Sequence, residues 1–301
     1  MTAYPSIVTA PAAPVMREER VATGDGPRLH LRTWEPETWE PEAPARAVLV
    51  VCHGLNAHGA YYTATAGAFA AAGFAVAAPD LRGRGKSEGE RFFVTDIAEY
   101  VADVDAVVTL LRSRHPGAPV FLLGHSAGGV VACVYALEHP TVLSGLICES
   151  FAFRVPAPGF ALKAIAWLSR SFPRFGVLKL KNADFSRDPA AVAAMNADPL
   201  IAGETQPAAT VAALVRADAR LETGFPAIVL PLLILHGTAD KVTLPAGSQF
   251  FHDISGSPDK TLKLYDGHVH DLLADLGREA VLADIVAWTE ARLPEPDSPA
   301  A

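Results

Sequence analysis

Gly124-His125-Ser126-Ala127-Gly128-Gly129 follows four apolar residues, Val120-Phe121-Leu122-Leu123, and leads into Val130-Val131-Ala132-Cys133-Val134-Tyr135-Ala136-Leu137-Glu138-His139, closed by Pro140. The apolar run reads as a short buried strand and the small-residue segment as a helix. A serine at the crossing, with glycine two positions away on each side, is a G-x-S-x-G nucleophile elbow. The turn is sharp and holds the serine in strained backbone geometry, so neighbouring side chains would clash. The strain lifts the hydroxyl above the end of the sheet, and the helix points its N-terminus at it. The competing reading is a glycine-rich strand-to-helix turn holding an ordinary serine. The flanking strand and helix favour the nucleophile.

Outward from the elbow, apolar strands alternate with helices. Ala47–Cys52 is a continuous apolar run leading into His53-Gly54-Leu55-Asn56-Ala57-His58-Gly59. An alanine-rich helix follows, about Tyr62 to Ala72, ended by Gly73. Phe74–Pro79 is the next strand, followed by Asp80-Leu81-Arg82-Gly83-Arg84-Gly85-Lys86-Ser87. That stretch is not a P-loop, because Asp80 stands where the motif needs its first glycine. Glu99–Arg114 is an amphipathic helix with Val101, Val104, Val108 and Leu111 on one stripe, and Leu143–Cys148 is another strand. The βαβαβ alternation predicts an α/β fold: a mostly parallel central sheet with helices on both faces.

The pattern breaks over residues 151–226, where helical segments, prolines and scattered aromatics (Phe153, Phe160, Trp167, Phe172, Phe175, Phe185) occur without a strand signal. An insertion of this kind after a strand ending beside the elbow is placed as a helical lid. Strands resume at Ala227–Leu235 and Thr261–Tyr265, and Asp271–Leu293 contains the closing helix. The expected organisation is an N-terminal arm (1–24), a first core part (25–150), the lid (151–226), a second core part (227–293) and a tail (294–301). Pro27–Trp34 alternates as a strand. The duplicated Thr33-Trp34-Glu35-Pro36-Glu37 and Thr38-Trp39-Glu40-Pro41-Glu42 read as an expanded hairpin loop, too short for a repeat architecture.

Bulk properties narrow the function. The 301 residues are 50% hydrophobic and 19% charged, enough for a sizeable core. A net charge of −8 without a basic stripe argues against nucleic acid. Cys52, Cys133 and Cys148 lie in or beside apolar segments and read as free thiols of a reducing compartment, not a disulfide framework or metal site. Neither a signal peptide nor an apolar membrane span is visible. The expectation is a soluble cytoplasmic protein with a small-molecule partner and no metal or cofactor.

A serine hydroxyl needs a base, and the base needs an orienting acid. On this architecture the chain order is serine, acid, histidine, each on a loop at a strand's C-terminal end. Asp240, in Leu235-His236-Gly237-Thr238-Ala239-Asp240, is the first acid so placed after the lid. Asp253, Asp259 and Asp266 are worse placed. The loop after the last strand offers His268 and His270, which position and chemistry alone do not separate. His236 reads as support for the acid's loop, and His53 and His58 as structural or substrate-facing. Acyl transfer also needs oxyanion donors. The backbone N–H of Ala127 supplies one and that of Leu55 the other, glycine at 54 allowing a close approach.

These stretches resemble the α/β-hydrolase superfamily and, within it, the monoacylglycerol lipase-like serine hydrolases. The resemblance spans about residues 47–292 and rests on His53-Gly54, Asp80–Ser87, Gly124–Gly129, Ser186-Arg187-Asp188-Pro189 with Asp198-Pro199-Leu200-Ile201, His236–Asp240 and Asp259–Gly267. It implies a triad of Ser126, Asp240 and His270, since the family's Y-x-G-x-x-H spacing from Tyr265 and Gly267 lands on His270. Ala57 and Tyr61 stand where the glycerol-recognising members carry a glutamate and an arginine. The expected activity is serine carboxylic ester hydrolysis through an acyl-enzyme on apolar esters of small or medium size, with His58, Tyr61, Phe153 and Trp167 as substrate-facing candidates. The alternatives are a serine aminopeptidase, whose ammonium-binding acids would be Asp184, Asp188, Asp198 or Glu204, a thioesterase, or a non-catalytic binding member of the fold. Ser126 argues against the dehalogenases and epoxide hydrolases, which place an aspartate at that position.

Overall fold

A computed structural model describes residues 15–24, 26–36 and 45–294. In chain order its first half holds β1 (Val15–Val21), β2 (Leu29–Glu35), β3 (Ala47–Cys52), α1 (Thr63–Ala71), β4 (Phe74–Pro79), α2 (Ile97–Arg114), β5 (Val120–His125), α3 (Ala127–Glu138) and β6 (Gly145–Glu149). The second half holds α4 (Gly159–Ser171), β7 (Gly176–Leu178), α5 (Pro189–Ala197), β8 (Gln206–Pro207), α6 (Ala208–Gly224), β9 (Leu232–Gly237), α7 (Pro245–Ile254), β10 (Lys260–Tyr265) and α8 (Arg278–Glu290). Eight strands form one sheet in the order β1-β2-β4-β3-β5-β6-β9-β10. From β4 to β10 every pairing is parallel, while β1 and β2 run antiparallel at one edge.

The interior strands are buried on both faces, which explains their unbroken apolar runs. One face packs against α2, α3, α6 and α7 through residues such as Val104, Tyr135, Leu221 and Phe251. The other packs against α1 and α8 through Phe69, Val281, Ile285 and Trp288. α2 starts on a capping box: Asp96 accepts from the Ala98 N–H, and Glu99 reaches back to the Asp96 N–H. Because β3, β5, β6, β9 and β10 are parallel, their C-terminal ends share one edge of the sheet. The loops carrying His53–His58, Ser126, Asp240 and His270 therefore open on the same side.

Three expectations change. The arm expected over 1–24 contains β1, whose pairing with β2 runs from Val15↔Glu35 to Val21↔Leu29; residues 1–14 lie outside the described residues. The segment after β2 leads to β3, and β4 lies between these strands, so the connection does not close a hairpin. Residues 37–44, most of the duplicated stretch, lie outside the described residues, as do 295–301 of the tail. The insertion holds helices α4, α5 and α6 but also a two-stranded β7–β8 ladder, too short to announce itself by alternation.

Candidate active site

Ser126 sits between β5 and α3 with φ 55° and ψ −122°, a left-handed value that is costly for a residue with a side chain. The glycines around it are required by crowding. A Cβ on Gly128 would lie 2.1 Å from the Cys52 carbonyl oxygen, and one on Gly54 would lie 2.7 Å from the Ser126 Cβ. The elbow and the loop after β3 are thus pressed together.

Three side chains from separate loops meet in a hydrogen-bonded relay. The Ser126 hydroxyl donates to His270 Nε2 at 2.9 Å, and His270 Nδ1–H donates to Asp240 Oδ2 at 2.8 Å. A carboxylate can only accept, so Asp240 selects the tautomer that leaves Nε2 free as a base. His270 is fully buried, and the Phe185 ring from the insertion meets it edge-on, with centroids 4.9 Å apart. Asp240 is held on both oxygens. Oδ1 accepts from the Val242 and Thr243 N–H groups, while Oδ2 also accepts from the Thr243 hydroxyl at 2.7 Å and from His236 Nε2 at 3.1 Å. Burial alone would raise its pKa, but the hydrogen bonds from His236, His270 and Thr243 hold it far below the usual carboxylate range.

The competing acids and the second histidine lie elsewhere. Asp253 is exposed on α7 and accepts from Gln249. Asp259 pairs with Arg292, and Asp266 accepts from Thr238. His268 Nδ1 lies 3.5 Å from Asp275 and its ring stands beside Tyr265. The Leu55 N–H has no acceptor among the described residues, and the Ala127 N–H opens α3, where no intrahelical acceptor exists. Leu55, Ser126 and Ala127 all border one cleft of about 400 Å³. Its walls are largely apolar: Ala152 and Val155 after β6, Leu162 and Ile165 of α4, Val177 and Leu178 of β7, and Val211, Leu214 and Val215 of α6. Charge appears as Lys179, Lys181, Asp184, Asp218 and Lys241.

None of the four substrate-facing candidates borders this cleft. His58 Nε2 and the Tyr61 hydroxyl both donate to Asp198 Oδ2 at 2.8 Å, so they tie the insertion to the loop after β3. Phe153 is buried among Phe151, Phe225 and Phe250, because the chain leaving β6 is still part of the core. Trp167 is 68% exposed, on the face of α4 turned away from Leu162 and Ile165. His53 is structural: Nδ1–H donates to the Gly54 carbonyl and Nε2 accepts from the Leu81 N–H. Burial lowers its pKa to about 4, so it stays neutral.

Sequence reading missed three contributors. Thr243 braces Asp240, but a threonine three residues after an acid carries no signal of its own. Glu149 ends the apolar β6 run, and its Oε1 accepts from the Leu272 N–H at 2.7 Å, gripping the loop just after His270. With His125 and Asp271 it forms a buried polar cluster beneath that histidine, with side-chain nitrogen and oxygen atoms within 4.8 Å of one another. Burial raises the Glu149 pKa, as does neighbouring Asp271. Burial likewise lifts Asp271 to about 6. The third is the role of Glu204, read from the sequence only as an ammonium-binding alternative, whose contacts reach the loop after β3.

Relays of this kind recur on several folds, so the family rests on comparison with known proteins. A family model described as serine aminopeptidase, S33, matches residues 43–277. The chain belongs to that family. This S33 hydrolase is 33% identical over 259 residues to a monoacylglycerol lipase of Mycolicibacterium smegmatis, covering 85% of the chain and 92% of the relative. It is 32% identical over 289 residues to the human monoglyceride lipase, covering 94% of each. The crystal structure of a monoacylglycerol lipase from Paleococcus ferrophilus superposes with a TM-score of 0.78 at 29% identity, over 88% of this chain and 99% of that one. The fold is that of the α/β-hydrolases, as the elbow and strand pattern led one to expect. Among the described residues no helix is long and apolar enough to cross a membrane.

Proposed function

We propose that this carboxylic ester hydrolase cleaves apolar esters of small or medium size through an acyl-enzyme on Ser126. His270 Nε2 takes the Ser126 proton as the hydroxyl attacks the ester carbonyl, then delivers it to the leaving alcohol. Asp240 orients the imidazole and stabilises its cation. The Leu55 and Ala127 N–H groups stabilise the oxyanion, with the N-terminus of α3 adding its dipole. Water then repeats the cycle on the acyl-enzyme. The acyl chain lies in the cleft beneath the lid formed by residues 151–226. The observation that carries this reading is the Ser126–His270–Asp240 relay opening on an apolar cleft. The free, buried thiols of Cys52, Cys133 and Cys148 suit a cytoplasmic setting.

The relatives named for monoacylglycerol make glyceryl esters a natural substrate class, but Ala57 and Tyr61 offer no charged group for glycerol. We therefore infer that simple alkyl or aryl esters are cleaved at least as well as monoacylglycerols of equal acyl length. An aminopeptidase would need a free acid for the substrate's ammonium. Asp188, Asp198 and Glu204 are already engaged by Arg278, by His58 with Tyr61, and by Arg84, which leaves Asp184, on the cleft wall, as the acid an aminopeptidase would use. A fluorophosphonate probe is expected to label the wild type and not Ser126→Ala. Rates on p-nitrophenyl esters, monoacylglycerols and aminoacyl anilides then rank the substrate classes. Faster cleavage of the anilides would overturn ester hydrolysis as the main activity, and strong preference for the glyceryl ester would place a glycerol-recognising group elsewhere in the chain.

A further inference from the structure

The loop bearing Leu55 is anchored on the insertion as well as on the core, where the Gly59 N–H donates to Asp80 Oδ1 at 2.8 Å. Asn56, next in the chain, has a left-handed φ of 52°. Its N–H donates to Glu204 Oε1 at 2.9 Å, and its side-chain amide donates to Asn182 Oδ1 at 3.0 Å. Glu204 is itself fixed. Arg84 Nη1 at 2.5 Å and Gln206 Nε2 at 2.6 Å donate to the same oxygen, and Arg84 Nη2 donates to Gln206 Oε1 at 2.9 Å. Arg84, Glu204 and Gln206 are 1%, 3% and 1% exposed.

A buried ion pair adds little stability over apolar side chains of the same shape, so its value here is sought in what it holds. The Asn56 N–H belongs to the planar peptide joined to the Leu55 Cα. Clamping that peptide fixes Leu55 from one side. On the other side, the Leu55 N–H shares its peptide with the Gly54 carbonyl, which accepts from His53 Nδ1–H at 2.8 Å. Without the clamp, the Leu55 N–H is held from the His53 side alone.

We propose that Glu204, held by Arg84, is the positioning residue of the oxyanion hole, aiming the Leu55 N–H by gripping the peptide that follows it. The inference rests on the reading of the Leu55 N–H as an oxyanion donor. It makes the catalytic machinery depend on a carboxylate supplied by the insertion, so the hole is complete only with the insertion docked.

Removing one charge alone would strand the other in the interior, so the test uses the paired variant Arg84→Met/Glu204→Leu, which keeps the site filled and uncharged. A donor made only in the transition state affects kcat and leaves KM alone. Losing an oxyanion donor outright costs about 10²–10³ in kcat, so a misaimed one is expected to cost roughly 10- to 100-fold. The expected result is that loss in kcat on a p-nitrophenyl ester, with KM within about twofold, a matching fall in the fluorophosphonate labelling rate, and a melting temperature near that of the wild type. An unchanged kcat in the paired variant overturns the inference. So does a loss of kcat that only follows a large drop in melting temperature or a parallel rise in KM. Leu55→Pro, which deletes the N–H itself, separates the two layers. Loss of kcat there with an unaffected paired variant sinks the positioning role alone. A fully active, folded Leu55→Pro sinks the oxyanion reading and the inference with it.

Discussion

The elbow and the insertion are built in opposite ways. Around Ser126 every residue from Ala127 to Ala136 is buried, and the glycines are dictated by backbones in contact. In the insertion, α4 has no buried residue, and it exposes Phe160 and Trp167 while turning Leu162 and Ile165 to the cleft. One region is specified by local crowding, the other by long-range contacts made on a few polar side chains. The difference teaches where the two halves of the site come from: the relay belongs to loops at the C-terminal ends of the strands, and the apolar walls of the cleft belong mostly to the insertion.

The strongest test of that division is Ser126→Ala. Ester hydrolysis is expected to fall on the order of 10⁴-fold or more in kcat with an unchanged melting curve. Activity within tenfold of wild type in a clean preparation would break the division at its first element. Next come the other two relay members. His270→Ala is expected to be inactive, Asp240→Asn to lose on the order of 10³- to 10⁴-fold by misdirecting the imidazole tautomer, and His268→Ala to be only impaired. The reverse pattern in the two histidine variants would move the base to His268.

A third test concerns stability. Burial, against the opposing pull of His270, raises the folded-state pKa of Asp271 to about 6 from an ordinary 3.8. Between those values the folded chain holds a proton that the unfolded chain has released. Stability from this group is therefore present at low pH and falls as pH rises through that window, by at most about 1.4 kcal/mol per pH unit. Asp271→Asn is expected to flatten the decline, measured as urea midpoints from about pH 4 to pH 7. An equally steep decline in the variant would assign it to Glu149 instead. The smallest effect sharpens the insertion side. Each methylene buried in the cleft contributes up to about 0.8 kcal/mol, so kcat/KM is expected to rise by up to a few-fold per added carbon until the cleft fills, then fall. A flat response across a p-nitrophenyl ester series would remove the apolar cleft from the account.

What was legible in the sequence follows the same division. The strands from β3 to β6 were readable because burial on both faces leaves continuous apolar runs, and the elbow because only glycine fits its spacing. Asp240 could be placed by its strand end, whereas choosing His270 over His268 needed a family resemblance, since both occupy one loop. Phe153 and Trp167 were misread as cleft residues. An aromatic side chain in a helical insertion does not reveal whether it faces core, cleft or solvent, and these two face the core and the solvent. Thr243, Glu149 and the role of Glu204 stayed hidden because each acts through a partner whose position only the folded chain defines.

The dual position of α6 has a consequence for how such a chain can diversify. Val211, Leu214 and Val215 border the cleft, while Ala217 and Leu221 on the same helix belong to the main core. The helix is at once the far wall of the pocket and the crossover that brings the chain back to β9. An insertion exchanged up to the start of α6 would therefore have to bring its own partners for Arg84, for His58 with Tyr61 and for Asp275, and would leave the core beneath that helix in place. Replacement through α6 itself would have to re-evolve the core beneath it. Lineages of this architecture should accordingly show rapid turnover ahead of that helix and slow drift within it.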